Sequence, residues 1–367
     1  MNIDKVREDF PITRDRVYLN IANHSPPSKP VQGAIRELLL DWDRLERNGD
    51  RRVREACDSF ARLINASPEE IACQPNTSQG LTTIAETLPL KRGENIVVSD
   101  LENPANIYPW LAQRRRGVEI RIVPGVGGAI RSGDLEDAVD DSTRVLAVSH
   151  VQWLTGARSD LKLFANIAHD HGAYFVVDAI QAAGAVSVDI RRDNVDFLAC
   201  GSYKWLLGPS GAGFLYARGD LIEDLQPPFW GYRSVDRHSL DEPGFKNNAQ
   251  RLELGEPSYL SFVGTKAGID HILSLGVEEV EQQVLRLSGL LHEGLRELGV
   301  EVVSPSEEGA RSGVVSFRAK DTRVLYEGLV DAGFVISLRP LGIRVSPGFY
   351  NTQEEIEGLL EQIGEGL

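Results

Sequence analysis

The chain has 367 residues, 42% of them hydrophobic, which is enough for a substantial core and more than one ordinary domain, so one large and one small domain are expected. A formal net charge of −15 repels phosphate backbones and anionic headgroups, which excludes nucleic acid and membrane surfaces as general partners. Cys57, Cys73 and Cys200 form neither a CxxC pair nor a Cys/His cluster that would suit zinc, and no apolar run reaches the roughly 20 residues of a membrane span, so a cytoplasmic protein with reduced thiols and no metal site is expected.

The opening residues (MNIDKVREDF) carry no positive segment leading into an apolar one. Pro26, Pro27 and Pro30 break the chain soon after, and residues 1–25 are expected to lie against the smaller domain. From about residue 93 to 218, short apolar strands alternate with amphipathic helices. The predicted strands are Ile96 to Ser99, Val118 to Val123, Arg144 to Ser149, Tyr174 to Val177, Phe197 to Cys200 and Phe214 to Tyr216. One predicted helix ends in the basic cluster Arg114 to Arg116, and another runs from Leu161 to His171. That alternation predicts an α/β fold with a mainly parallel sheet covered on both faces and ligands at the carboxyl ends of its strands. The large domain is assigned to residues 26–263. A long helix from Val277 to Leu298, short strands at Val302, Val314 to Phe317 and Val335 to Leu338, and a closing helix from Glu354 make residues 264–367 a small α+β domain.

Chemistry-bearing residues recur at the predicted strand ends. Asp178 ends the apolar run from Ala173, where a carboxylate needs a partner. That partner is a helix N-terminus or a cation in the ordinary case; in the functional case it is the protonated pyridine nitrogen of a cofactor. Lys204 lies between a buried strand and Trp205-Leu206-Leu207, where desolvation lowers its pKa and frees the amine for Schiff-base formation. Thr77 and Ser78 precede a helix, a position that serves for capping or for cradling a phosphate. His150 follows the strand Arg144 to Ser149, either as a structural residue or stacked on a cofactor ring.

In this order and spacing the residues resemble the class V aminotransferase/cysteine desulfurase family of fold-type I pyridoxal-phosphate enzymes. The resemblance extends from Tyr18-Leu-Asn-Ile-Ala through Glu102-Asn-Pro-Ala-Asn-Ile-Tyr-Pro-Trp, Ser149-His-Val and Val177-Asp-Ala-Ile-Gln-Ala. It takes in the Lys204 segment and closes on Arg344-Val-Ser-Pro-Gly-Phe-Tyr-Asn-Thr. It implies pyridoxal 5'-phosphate bound to Lys204, with Asp178 on the ring nitrogen, His150 stacked on the ring and Gln181 donating to the ring hydroxyl. Thr77, Ser78 and Tyr203 would contact the phosphate. Arg339 would bind the substrate α-carboxylate, with Arg344 its competitor for that role and otherwise a structural ion pair in the small domain. Asn23 and Trp153 complete the expected substrate pocket, and Trp110 would add to its apolar character. The resemblance also implies a homodimer with active sites at the subunit boundary.

Departures from the family pattern bear on the reaction. Desulfurases carry a sulfur-accepting cysteine on a loop after the carboxylate-binding arginine; here Arg339-Pro-Leu-Gly-Ile-Arg344 is short and has none. Tyr203 stands where desulfurases carry histidine, and Trp153 where they often carry asparagine. Glu256 occupies a site where relatives place a threonine that reaches the partner subunit's phosphate, so either Ser258 takes that contact or Glu256 turns to a cation. The expected function is action on a small amino acid through a Schiff base with the cofactor, by transamination, with C–S lyase chemistry as the alternative and epimerisation behind. A non-catalytic relative of the fold is the reading from another class. A nucleotide-binding protein lacks support, since no GxGxxG follows a strand.

Overall fold

The structure, a computed structural model, describes residues 1–237, 239 and 241–367. A seven-stranded sheet has the order Ile71–Gln74, Gly213–Ala217, Phe197–Gly201, Tyr174–Asp178, Thr143–Ser149, Asn95–Ser99, Glu119–Val123. All neighbours are parallel except Gly213–Ala217, which runs antiparallel to both of its partners. The alternating pleat divides the apolar strand residues between two cores. Val97, Leu146, Val177 and Leu198 face a core with Phe60, Phe164 and Phe262 from the helices Trp42–Ile64, Leu161–Asp170 and Tyr259–Leu275. Ile96, Val145, Val176 and Phe197 face a second core closed by Leu81, Ile84 and Ala85 of the helix Thr77–Thr87 and by Trp110.

A separate four-stranded antiparallel sheet has the order Glu301–Val302, Val315–Arg318, Gly342–Val345, Ser337–Arg339. Leu287, Leu291 and Leu295 of the helix Val277–Glu297 and Ile356, Leu359 and Ile363 of the helix Gln353–Glu365 pack with Phe317, Ile343 and Val345 into a third core. The N-terminal segment spans both units, with Val6, Phe10, Ile21 and Ala22 in the large core and Leu19 in the small one. Val17–Tyr18 pairs parallel with Phe334–Val335, and Arg7 donates to the Tyr350 carbonyl (3.0 Å) and to Glu355 (2.9 Å).

Strands Ile71–Gln74 and Gly342–Val345 were not expected from the sequence. The helix expected to end at Arg114 to Arg116 is instead three short turns, Pro104–Asn106, Tyr108–Leu111 and Ala112–Arg116, stopped at Gly117 with φ +81°. Pro109 accounts for the first break, because it lacks the N–H that would continue the turn from Pro104. The expected boundary at 263/264 falls inside the helix Tyr259–Leu275, whose Phe262 and Ile269 belong to the large core. We propose that the two units divide at Gly276, which takes φ +88° between that helix and the next. Among the described residues, no helix is long and apolar enough to cross a membrane, and no cluster of three His, Cys, Asp or Glu side chains is disposed to hold a metal ion.

Candidate active site

The carboxyl ends of the central strands and the start of the helix Thr77–Thr87 meet at one cleft, which is lined by Thr77, Ser78, Trp153, Asp178, Gln181, Tyr203 and Lys204 among others. Asp178 closes its strand with 2% exposure. Its Oδ1 accepts the Ile180 N–H at 2.9 Å, and its other oxygen takes no hydrogen bond from the described residues. Burial raises the Asp178 acid well above the carboxylate range, with the Ile180 N–H opposing. Lys204 follows strand Phe197–Gly201 in a segment that doubles back, with Leu207 N–H on the Lys204 carbonyl (3.0 Å) and Ser202 N–H on that of Ala212 (3.0 Å). Trp205, Leu206 and Leu207, each 1% exposed, dehydrate the lysine. Burial therefore lowers its pKa; the Asp178 carboxylate opposes the shift, and Arg344 and Arg339 reinforce it.

Thr77 is the first residue of its helix, behind the Asn76 cap. Its hydroxyl oxygen accepts the Gly201 N–H at 2.8 Å, which ties the helix start to the lysine strand and leaves the hydroxyl proton free to donate. Ser78 is exposed beside it. The Tyr203 carbonyl accepts the Ser25 N–H (2.9 Å), and its ring lies 4.8 Å from that of His24. Gln181 is held on both sides of its amide, accepting from Trp205 Nε1 (3.0 Å) and donating to the Ala22 carbonyl (3.0 Å); one amide proton remains.

Arg339 and Arg344 enter from the small sheet. Arg344, 1% exposed, donates Nη1 to the Trp153 carbonyl at 2.8 Å, while its Nε and Nη2 are buried without a partner. The ion pair expected of Arg344 in the small domain is not formed with any described residue. Its guanidinium points toward Trp153 of the cleft instead, because Arg344 lies on the face of its strand opposite to Ile343 and Val345, which fill the core. Arg339 donates Nη2 to Asn23 Oδ1 at 2.8 Å, and its Nε is buried and unpaired.

Asn23, Arg339 and Arg344 stand behind the residues that line this cleft, and His150, Trp110 and Ser258 lie elsewhere. His150 lines a different groove, with Arg158, Ser159 and Arg192, because the extended segment alternates: Ser149, Val151 and Trp153 face the cleft, and His150 points away. Burial lowers its pKa to about 3, with Arg158 and Arg192 adding to the effect. Trp110 is fully buried in the second core and donates to Asn106 (3.1 Å). Ser258 caps the helix Tyr259–Leu275, pairs with the Ser261 hydroxyl (2.8 Å), and lines a separate cavity with Glu256, Gln79 and Gly211. The contact expected of Ser258 or Glu256 runs across a subunit boundary.

Two further residues shape the site. Asn103 lines the cleft and caps the turn after it, accepting the Ala105 N–H at 3.0 Å. The Asn-Pro pair at 103 and 104 carries the sequence signature of such a cap. Beneath it, the fully buried Glu102 carboxylate accepts from Asn106 Nδ2 (2.8 Å), the Ser149 N–H (2.8 Å), the Ser149 hydroxyl and Gln152 Nε2 (2.6 Å). Burial raises its pKa against those four donors. Glu102 thereby fastens the Asn103 turn to the end of strand Thr143–Ser149.

Comparison with known proteins agrees with this architecture. The chain is 32% identical to a probable cysteine desulfurase of Methanothermobacter thermautotrophicus, over all of this chain and 98% of that protein. It superposes on the apo structure of the cysteine desulfurase from Thermococcus onnurineus NA1 with a TM-score of 0.91 at 29% identity, covering 99% of this chain and 98% of that one. It shares its fold, at 24% identity and a TM-score of 0.90, with a mutant of C-DES that holds glycine covalently linked to its pyridoxal phosphate cofactor, over 98% of this chain and 99% of that one. The fold-type I architecture expected from the sequence is the one observed. The model of the aminotransferase class-V family matches residues 43–359, nearly the whole chain, and this protein is an enzyme that belongs to that family.

Proposed function

We propose that this protein is a pyridoxal-5'-phosphate-dependent aminotransferase that acts on a small amino acid. The observation that carries the reading is a dehydrated Lys204 beside Asp178, one of whose oxygens is unclaimed, in a cleft that begins at a helix N-terminus. The residues fit the cofactor: the Thr77 and Ser78 hydroxyls and the helix start would hold its phosphate, Asp178 its ring nitrogen and Lys204 its aldehyde carbon. When bound, the cofactor supplies an electron sink for the pair released at the substrate Cα. The neutral amine of Lys204 takes the Cα proton. The Asp178 carboxylate keeps a proton on the ring nitrogen. Arg344 binds the α-carboxylate through its free Nε and Nη2, the parallel edge that suits two carboxylate oxygens. Asn103 lies at the cleft in the ring-side position expected of His150.

Transamination is preferred because sulfur transfer through a protein persulfide lacks its thiol. All three cysteines are buried, two of them within the strands Ile71–Gln74 and Phe197–Gly201, and burial pushes every thiol up, Cys57 to about 12. C–S lyase chemistry, which needs no protein thiol, is the second reading; the likeness to a probable cysteine desulfurase favours it. A cytoplasmic homodimer belongs to the proposal, supported by the exposed Phe229, Trp230 and Tyr232 and by the placement of Ser258 outside its own cleft. The test is a single-turnover reaction of the yellow protein with a panel of amino acids and cysteine conjugates. Bleaching that a keto acid reverses establishes transamination; continuous release of keto acid with ammonia establishes the lyase.

A further inference from the structure

The strands Ser337–Arg339 and Gly342–Val345 form a hairpin that turns on Pro340 and Leu341 alone. Its register sets Arg339 opposite Gly342 and Ser337 opposite Arg344. Arg339 and Arg344 are therefore diagonal neighbours on one face, at a separation of roughly 7–8 Å between backbones. Leu338 and Ile343 take the other face, against the small core.

One substrate carboxylate uses one guanidinium edge, and Arg344 supplies it with Nε and Nη2 both unspent. Arg339 is then left over. It has a buried, unpaired Nε, and among the described residues its only hydrogen bond goes to the neutral Asn23 amide and it pairs with no carboxylate. Arg344 is buried and Arg339 half-buried beside it, so the two cations repel each other and Arg344 loses hydration, a cost that anions arriving together with the substrate would offset. Asn23 fixes the Arg339 fork through Nη2 and keeps its own Nδ2 free to donate toward the same ligand.

We propose that the substrate is an amino acid with a second carboxylate, of the aspartate–glutamate class, whose side-chain carboxylate is read by Arg339 together with Asn23 while Arg344 holds the α-carboxylate. The inference rests on the reading of the cleft as an amino-acid site and names the substrate class for it. Arg339 is on this account a specificity-determining residue.

The test uses the cofactor-loaded enzyme and two readouts. Calorimetric titration with succinate and with butyrate compares a dicarboxylate with a monocarboxylate of equal carbon number, without turnover. Single-turnover spectra compare L-aspartate and L-glutamate with L-alanine and L-cysteine. The expected preference for the dianion is on the order of tenfold to a hundredfold in each, the worth of one charge-assisted contact. Arg339→Gln brings both ratios toward one, Arg339→Lys restores part of them, and Arg344→Gln weakens all carboxylates together. The proposal is overturned by a wild-type enzyme with no succinate preference, by an Arg339→Gln enzyme that loses mono- and dicarboxylates equally, or by one whose loss lies in cofactor affinity. If alanine or cysteine reacts without any dianion preference, the substrate class fails and the aminotransferase reading stands. If succinate is preferred while no amino acid changes the spectrum, the reverse holds.

Discussion

Arg344 donates Nη1 to the backbone carbonyl of Trp153 at 2.8 Å, so a side chain of the small sheet is aimed by the chain segment that walls the cleft of the large one. The edge left free, Nε with Nη2, has the parallel donors that suit a carboxylate. Arg344→Gln is expected to raise KM for the preferred amino acid by about a hundredfold, and Arg344→Lys to recover little, since an ammonium has no parallel pair of donors. Steady-state kinetics decide it, and an unchanged KM would return the α-carboxylate to Arg339.

Lys204→Ala is expected to remove both turnover and the yellow colour of the lysine-bound cofactor. The absorption spectrum of the purified variant, before and after added cofactor, checks it. A variant that still turns over at wild-type rate would take the base at Cα away from Lys204.

Asp178→Asn keeps the shape of the side chain and removes its charge. Turnover is expected to fall by two or more orders of magnitude and cofactor affinity with it, because the carboxylate acts on charge that develops during the reaction. Rapid-quench rates and a cofactor titration separate the two effects, and equal rates would contradict the assignment.

Loading of the cofactor should follow the charge on Lys204. Burial lowers its pKa, so the ammonium gives way to the reactive amine as pH rises through a midpoint below the ordinary lysine value of about 10.4. The rate at which cofactor-free protein turns yellow is expected to increase through that midpoint and level off above it. A rate that keeps rising to the ordinary lysine value would mean the amine is solvated.

His150→Gln is expected to leave turnover within a few-fold of wild type and the cofactor spectrum unaltered, because His150 faces away from the cleft. Its effect should be on acid stability. A histidine whose folded pKa is depressed to about 3 contributes stability above its unfolded value near 6.5 and loses it as pH falls from there toward 3. Removing it should move the acid-unfolding midpoint downward, as measured by circular dichroism; a hundredfold loss of turnover would restore a role at the ring.

Asp178 and Lys204 were legible in the sequence because each adjoins an apolar run at a place where the chain must turn, and Thr77 because it stands before a helix; parallel sheets gather such ends. His150 was not, for a reason internal to strands. A single residue step along an extended segment reverses the face, and the pairings of Ser149 with Asp178 and of Val151 with Arg158, neither of them visible in the sequence pattern, fix which face meets the cleft. Which of Arg339 and Arg344 offers a free guanidinium edge was hidden for a similar reason: such an edge is defined by which nitrogens are already occupied, and the partners Asn23 and Trp153 are remote in sequence. The strand Gly342–Val345 escaped notice because four residues with an arginine among them carry no periodicity.

The two-residue turn at Pro340 and Leu341 has a consequence for how this chain is able to diverge. Gly342 sits there at φ +129° with the Phe317 carbonyl 2.1 Å from where a Cβ would stand, so no side chain is tolerated at that position. The same turn is where a relative that carries sulfur would insert its cysteine-bearing loop. Residues added there would loop out beyond the Arg339–Gly342 pair, so the ladder that sets Arg339 beside Arg344 would persist while the turn grew. At this one corner of the fold, the length of the turn and the arginine pair beside it can therefore vary independently in descent.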